Sequence, residues 1–164
     1  MLRFLSYDIV FQEIPDEITL AVNISNCPNR CKGCHSPHLM EDRGEMLDAG
    51  VIADLLERYG NAITCFCFMG GDASPLEIEC LAAFVRKNYG VKIAWYSGKS
   101  RMPDGCSIRY FDYVKLGPYI QRLGGLNSVT TNQRFYRIEH EKMIDMTDCF
   151  FQIGNPVRQY EFNG

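Results

Sequence analysis

Residues 62–97 read AITCFCFM (62–69), GGDA (70–73), SPLEIECLAAFVRKNY (74–89), Gly90 and VKIAWYS (91–97). The first segment is short, β-prone and almost continuously apolar, as expected of a strand covered on both faces. It runs directly into a Gly70-Gly71 turn. Ser74, Pro75 and Glu77 then form a helix start, with Ser as N-cap, Pro at the first helical position and Glu closing a capping box. Ile78, Leu81, Ala82, Val85 and Tyr89 recur at helical spacing, and Gly90 ends the helix before the second strand, Val91 to Ser97.

Outward from this β-α-β unit the pattern repeats upstream. Ile18 to Ser25 (ITLAVNIS) is another buried-strand segment, and Val51, Ile52, Leu55, Leu56 and Tyr59 form one face of a helix from about Asp48 to Tyr59, with Gly60 as its cap. The order β-α-β-α-β predicts right-handed crossovers and a mostly parallel sheet, so the fold class is α/β. Downstream the sequence gives a strand at Tyr113 to Leu116, a turn-rich stretch from Gly117 to Asn132 and a β-prone Gln133 to Ile138. A complete eight-unit barrel takes about 250 residues, so 164 residues predict an open, partial version with one side of the sheet accessible.

With 46% hydrophobic and 23% charged residues, the chain has the composition of an ordinary globular domain. No repeat, linker or low-complexity tract divides it, so residues 1–164 are expected to form one domain. A net charge of −3 provides no bulk positive field for nucleic acid or an anionic membrane. The longest apolar run, Ile63 to Met69, is far short of the roughly 20 residues that span a bilayer, and no export signal is recognisable at the amino terminus. The expected location is the cytoplasm.

Eight cysteines in such a chain call for an explanation other than disulfides. Three of them, Cys27, Cys31 and Cys34, fall in the loop Asn26-Cys27-Pro28-Asn29-Arg30-Cys31-Lys32-Gly33-Cys34-His35-Ser36-Pro37-His38, spaced C-x3-C-x2-C. The loop follows the strand at 18–25, at the edge where parallel α/β folds bind ligands. Soft thiolates select iron-sulfur clusters, zinc or copper(I). A 4Fe-4S cluster on three cysteines leaves one iron free to take a small molecule. A structural zinc site wants a closed tetrahedron, which His38 could complete as Cys3His. Spacing leaves both open.

The C-x3-C-x2-C loop, together with Gly70-Gly71-Asp72 after the next strand, resembles the radical S-adenosylmethionine enzymes. More narrowly, the loop from Cys27 to His38, Phe68 to Asp72, Trp95 to Gly98, Lys115 to Tyr119 and Thr131 to Tyr136 are similar to the activating proteins of anaerobic, class III ribonucleoside-triphosphate reductases. That resemblance covers nearly the whole chain. It implies a partial β/α barrel with a 4Fe-4S cluster on Cys27, Cys31 and Cys34, and the amine and carboxylate of S-adenosyl-L-methionine on the unique iron. It further implies reductive cleavage of that cofactor and hydrogen abstraction from a glycine of the reductase, with electrons from an external donor such as flavodoxin. An activase of another glycyl-radical enzyme, of the pyruvate formate-lyase type, shares the same spacing.

The resemblance also assigns cofactor contacts to Gly33, Cys34, His35, Gly70, Gly71, Asp72 and Ser97. Two positions depart from the common pattern. Gly33 stands where many such enzymes carry an aromatic residue before the third cysteine, which leaves adenine recognition to backbone groups from Gly33 to His35. Asp72 stands where Glu is common. Ser97-Gly98 ends a strand on the cysteine-loop edge, and a plain strand-ending turn explains it equally well. Cys65 and Cys67 alternate on one face of a strand and read as buried apolar thiols. Cys80, Cys106, Cys149 and His140 are assigned no role.

Overall fold

The computed structural model describes residues 1–152. In chain order the elements are β1 (Arg3–Val10), β2 (Thr19–Ile24), β3 (Glu45–Met46), α1 (Ala49–Tyr59), β4 (Cys65–Met69), α2 (Pro75–Asn88), β5 (Lys92–Tyr96), β6 (Tyr113–Leu116), β7 (Arg134–Glu139) and β8 (Lys142–Asp145). Short 3-10 turns occupy Pro37–Met40, Ile108–Tyr110 and Thr147–Gln152.

Among the described residues, eight strands make one sheet in the order β3-β1-β2-β4-β5-β6-β7-β8. Its two edges do not pair, so the sheet is open. The centre is parallel: β2, β4, β5 and β6 lie side by side in one direction. The expectation of a mostly parallel sheet fails outside that centre. Pairings β3-β1, β1-β2, β6-β7 and β7-β8 are antiparallel, four of the seven. The reason is connectivity. Helices α1 and α2 carry the chain back to the start of β4 and β5, whereas β1-β2 and β7-β8 are hairpins, which can only pair antiparallel.

The alternation along each strand divides the sheet into two faces. Leu20, Val22, Ile24, Phe66, Phe68, Ile93, Trp95 and Val114 form one cluster with Ile52, Leu55 and Leu56 of α1 and Ile78, Ala82 and Val85 of α2. Phe66 and Phe68 meet edge to face with centroids 5.1 Å apart, and Trp95 stacks on Phe111 at 5.6 Å. Each such fully buried side chain contributes about 1.5–3 kcal/mol of burial. The other face carries Cys65, Cys67, Ala94 and Phe135, and among the described residues no α-helix covers it. Ile14, from the β1-β2 connection, and Phe150 pack there instead. Both helices therefore lie on one side, and the second side is closed by loops.

Helix boundaries follow the expected signals with one correction. Asp48 caps α1 by accepting the Val51 N–H at 2.9 Å. At α2 the capping box does not form, because the Ser74 side chain makes no capping bond. Glu77 reaches instead to the chain's first residues, accepting from the Met1 amino group at 2.6 Å and the Leu2 N–H at 3.1 Å. Gly71, with φ +93, is the glycine that packing requires: a Cβ there would stand 2.4 Å from Ile78 Cδ1. No helix among the described residues is long and apolar enough to cross a membrane.

Candidate functional site

The carboxyl ends of β2, β4, β5 and β6 deliver four segments to one edge of the sheet: the cysteine loop, Gly70 to Asp72, Ser97 to Lys99, and Gly117 onward. The cysteine loop is an excursion with pinned ends. Asn26 N–H donates to Glu41 O at 3.0 Å and Cys27 N–H to Leu39 O at 2.9 Å. Asn26 and Arg30 take positive φ values of 60° and 45° as the chain turns out of the strand. Within the loop Cys27, Cys31 and Cys34 are free and half-buried. Cys34 Sγ accepts the Ser36 N–H at 3.4 Å, and Cys27 Sγ accepts from Asn29 Nδ2 at 3.7 Å.

Asp72 is the hub. It is 8% exposed, and both carboxylate oxygens are taken by neighbouring segments. Ser97 Oγ–H donates to Oδ1 at 2.6 Å, while Asn29 Nδ2 and Gly98 N–H donate to Oδ2 at 2.6 and 2.8 Å. The same Asn29 amide thus links the Cys27 sulfur to the Asp72 carboxylate. Close approach explains Gly98, where a Cβ would lie 2.4 Å from Asn29 Nδ2. Trp95 Nε1–H donates to Gly70 O at 2.8 Å and fixes the turn after β4.

Below this network lies Lys115, a cation only 8% exposed. Its ammonium donates to Gly117 O at 2.8 Å and to Ser97 O at 3.4 Å. Burial pulls its pKa down to about 8, against the opposing attraction of Asp72, Cys31 and Cys27. A buried positive group thus sits within electrostatic reach of two cysteines of the loop and its acidic hub.

The segment after β6 covers the cysteine loop from the other side. His35 and Tyr119 meet with ring centroids 5.0 Å apart. The Gln121 carboxamide lies over Gly33, where a Cβ would fall 3.0 Å from Gln121 Cδ. Gly33 itself has φ +75.

Every sequence-predicted contact residue, Gly33, Cys34, His35, Gly70, Gly71, Asp72 and Ser97, lies on this one edge, and Asp72 and Ser97 touch. Asn29, Lys115 and Gln121 were missed as individual residues. A lysine inside an otherwise buried strand was a visible signal for Lys115; none existed for Asn29 or Gln121, whose roles depend on segments distant in sequence. His38 is exposed. Among the described residues no three His, Cys, Asp or Glu side chains converge where a single metal ion could sit. Cys65 and Cys67 are fully buried in the sheet, and burial first of all pushes both thiols well above their usual range. Cys106 and Cys149 are half-buried and Cys80 is exposed.

A second concavity, of about 890 Å³, lies at the opposite end of the parallel strands. There Glu17, 6% exposed, accepts from Lys92 and from Tyr113 Oη–H, the latter at 2.8 Å. It contains none of the predicted contacts. No family model, curated protein or solved structure matches this chain.

Proposed function

We propose that the protein is a radical S-adenosylmethionine enzyme, an oxidoreductase of partial β/α-barrel type, that activates a glycyl-radical enzyme. The partner the sequence resemblance favours is an anaerobic ribonucleoside-triphosphate reductase. The observation that carries the reading is a pinned loop of three free cysteines, one of which, Cys27, is joined to the Asp72 hub by Asn29, beside a buried lysine.

The donor set fits a 4Fe-4S cluster better than zinc. Tetrahedral zinc with Zn–S bonds near 2.3 Å needs its sulfurs within about 4 Å of one another. In a cubane each cysteine caps a different iron, so the thiols surround a volume and do not share a point. His38, the fourth ligand a Cys3His zinc site would need from this loop, is exposed, which favours the second arrangement.

A 4Fe-4S cluster bound at this edge would supply one-electron reduction of the sulfonium of S-adenosyl-L-methionine, the chemistry needed to remove a hydrogen atom from a glycine of the partner. This chain's own residues bind and orient. Cys27, Cys31 and Cys34 would hold the cluster. Asp72, held by three donors, offers a fixed anionic face for the cofactor's amine. Lys115 supplies a positive charge for its carboxylate and lowers the cost of gathering thiolates at one edge. Gly70 and Gly71 would present their backbone to the ligand, while Gly98 lets Asn29 close on the Asp72 hub.

The test is low-temperature electron paramagnetic resonance of anaerobically reconstituted, reduced protein. The expected result is a 4Fe-4S signal that shifts on adding S-adenosyl-L-methionine. Stoichiometric zinc with no assembled cluster would overturn the reading.

A further inference from the structure

Resting on the S-adenosylmethionine reading of this edge, we infer that Gln121 is the side chain that reads the adenine base, standing in the space left open by Gly33. The cysteine loop and the segment after β6 face each other through alternate residues, His35 against Tyr119 and Gly33 against Gln121. At Gly33 even one added carbon would stand 3.0 Å from Gln121 Cδ and 3.2 Å from both Oε1 and Nε2. The carboxamide therefore occupies the place a side chain at residue 33 would take, one residue before Cys34.

Backbone bonds hold Gln121 in position while its amide stays free. Ile120 O accepts from Leu123 N–H at 2.9 Å and Gly124 N–H at 3.1 Å, Thr130 Oγ1–H donates to Leu123 O at 2.8 Å, and Asn132 Nδ2 donates to Pro118 O at 3.0 Å. The turn carrying Gln121 is thus tied down on both flanks. The Gln121 side chain is exposed, and its amide makes no hydrogen bond to a described residue. A free carboxamide presents one acceptor beside one donor. Adenine presents the complementary pair on either edge, its 6-amino group beside N7 or beside N1. Next to it the Tyr119 ring, inclined 59° to His35 with centroids 5.0 Å apart, offers one aromatic face against which the base can lie.

The experiment is anaerobic titration calorimetry on the cluster-loaded protein with S-adenosylhomocysteine, which lacks the sulfonium, and with its counterpart carrying unsubstituted purine. The readout is binding, independent of turnover. Wild-type protein is expected to prefer the adenine ligand about tenfold, the worth of one good base contact. Gln121→Leu should reduce that preference to near unity and weaken the adenine ligand several-fold. Gln121→Glu, which can accept but not donate, should fall between them. A Gln121→Leu protein that keeps the wild-type preference would overturn the assignment while leaving the cofactor site intact. Failure of wild-type protein to bind either ligand would remove the cofactor reading and this inference with it.

Discussion

Ser97 and Asp72, 25 residues apart and carried by different strands, are joined by a 2.6 Å hydrogen bond in which the hydroxyl donates to the buried carboxylate. Lys99 N–H donates in turn to Ser97 Oγ at 3.1 Å, so the hydroxyl acts as both donor and acceptor. The ends of β4 and β5 are thereby locked at the point where the cysteine loop arrives. Ser97→Ala removes one of three donors to a carboxylate that water barely reaches, at a cost of about 1–3 kcal/mol. Thermal unfolding should show Tm lowered by about 3–10 °C, and Ser97→Thr should restore most of it. An unchanged Tm for Ser97→Ala would show that the bond does not secure the hub.

Replacing Cys27, Cys31 or Cys34 singly with Ala should reduce iron and acid-labile sulfide after reconstitution to background, with circular dichroism unchanged because the loop lies outside both hydrophobic clusters. His38→Ala should load iron like the wild type. Retention of one zinc by the wild type and its loss in His38→Ala would point instead to the Cys3His module.

Lys115 makes a prediction about pH. Its folded pKa of about 8 lies below the ordinary 10.5, so between these values the unfolded chain holds more protons and stability rises with pH. Below that window the buried charge costs roughly 3 kcal/mol. In cluster-free protein, the difference in stability between Lys115→Met and wild type should therefore shift toward wild type by about that amount from pH 8 to pH 10.5. Denaturant titrations across that range measure it, and a constant difference would show that the ammonium is solvated.

Glu17 carries the opposite sign. Burial raises its pKa, but hydrogen bonds from Lys92, Thr64 and Tyr113 outweigh burial and hold the carboxyl below its ordinary value of 4.5. Its contribution is present above that value and lost as pH falls through the lowered one. Glu17→Gln should unfold at lower denaturant concentration than wild type at neutral pH, with the two curves converging on acidification. Parallel curves at every pH would contradict the charged pairing with Lys92.

The central parallel strands were legible because they are buried on both faces and bounded by glycine turns, so β4, β5 and β6 lie within the expected spans. Of the flanking strands, β7 falls on the β-prone Gln133 to Ile138, but β1, β3 and β8 were not legible. In β1 the register shifts between Phe4 and Ser6, which moves later side chains to the other face and erases the alternation that identifies a strand. Strand β8 is four residues and half-exposed, with too little apolar pattern to stand out. The cysteine loop, Gly70 to Asp72 and Ser97 could be placed on one edge from sequence because parallel strands end together. Asn29 and Gln121 required the tertiary meeting of segments 43 and 88 residues apart, which no local pattern encodes.

If the loop holds the proposed cluster, the two backbone bonds that close it, at Asn26 and Cys27, bear on how that cluster would be loaded. Ligand sites whose shape exists only around the metal must assemble and fold in one event. Here the loop is ring-closed by peptide groups on a sheet that is already packed, so maturation can follow folding as a late, separate loading step. On that reading, a centre lost to oxygen would be rebuilt on the same folded polypeptide, and the protein would serve as a reusable receptacle.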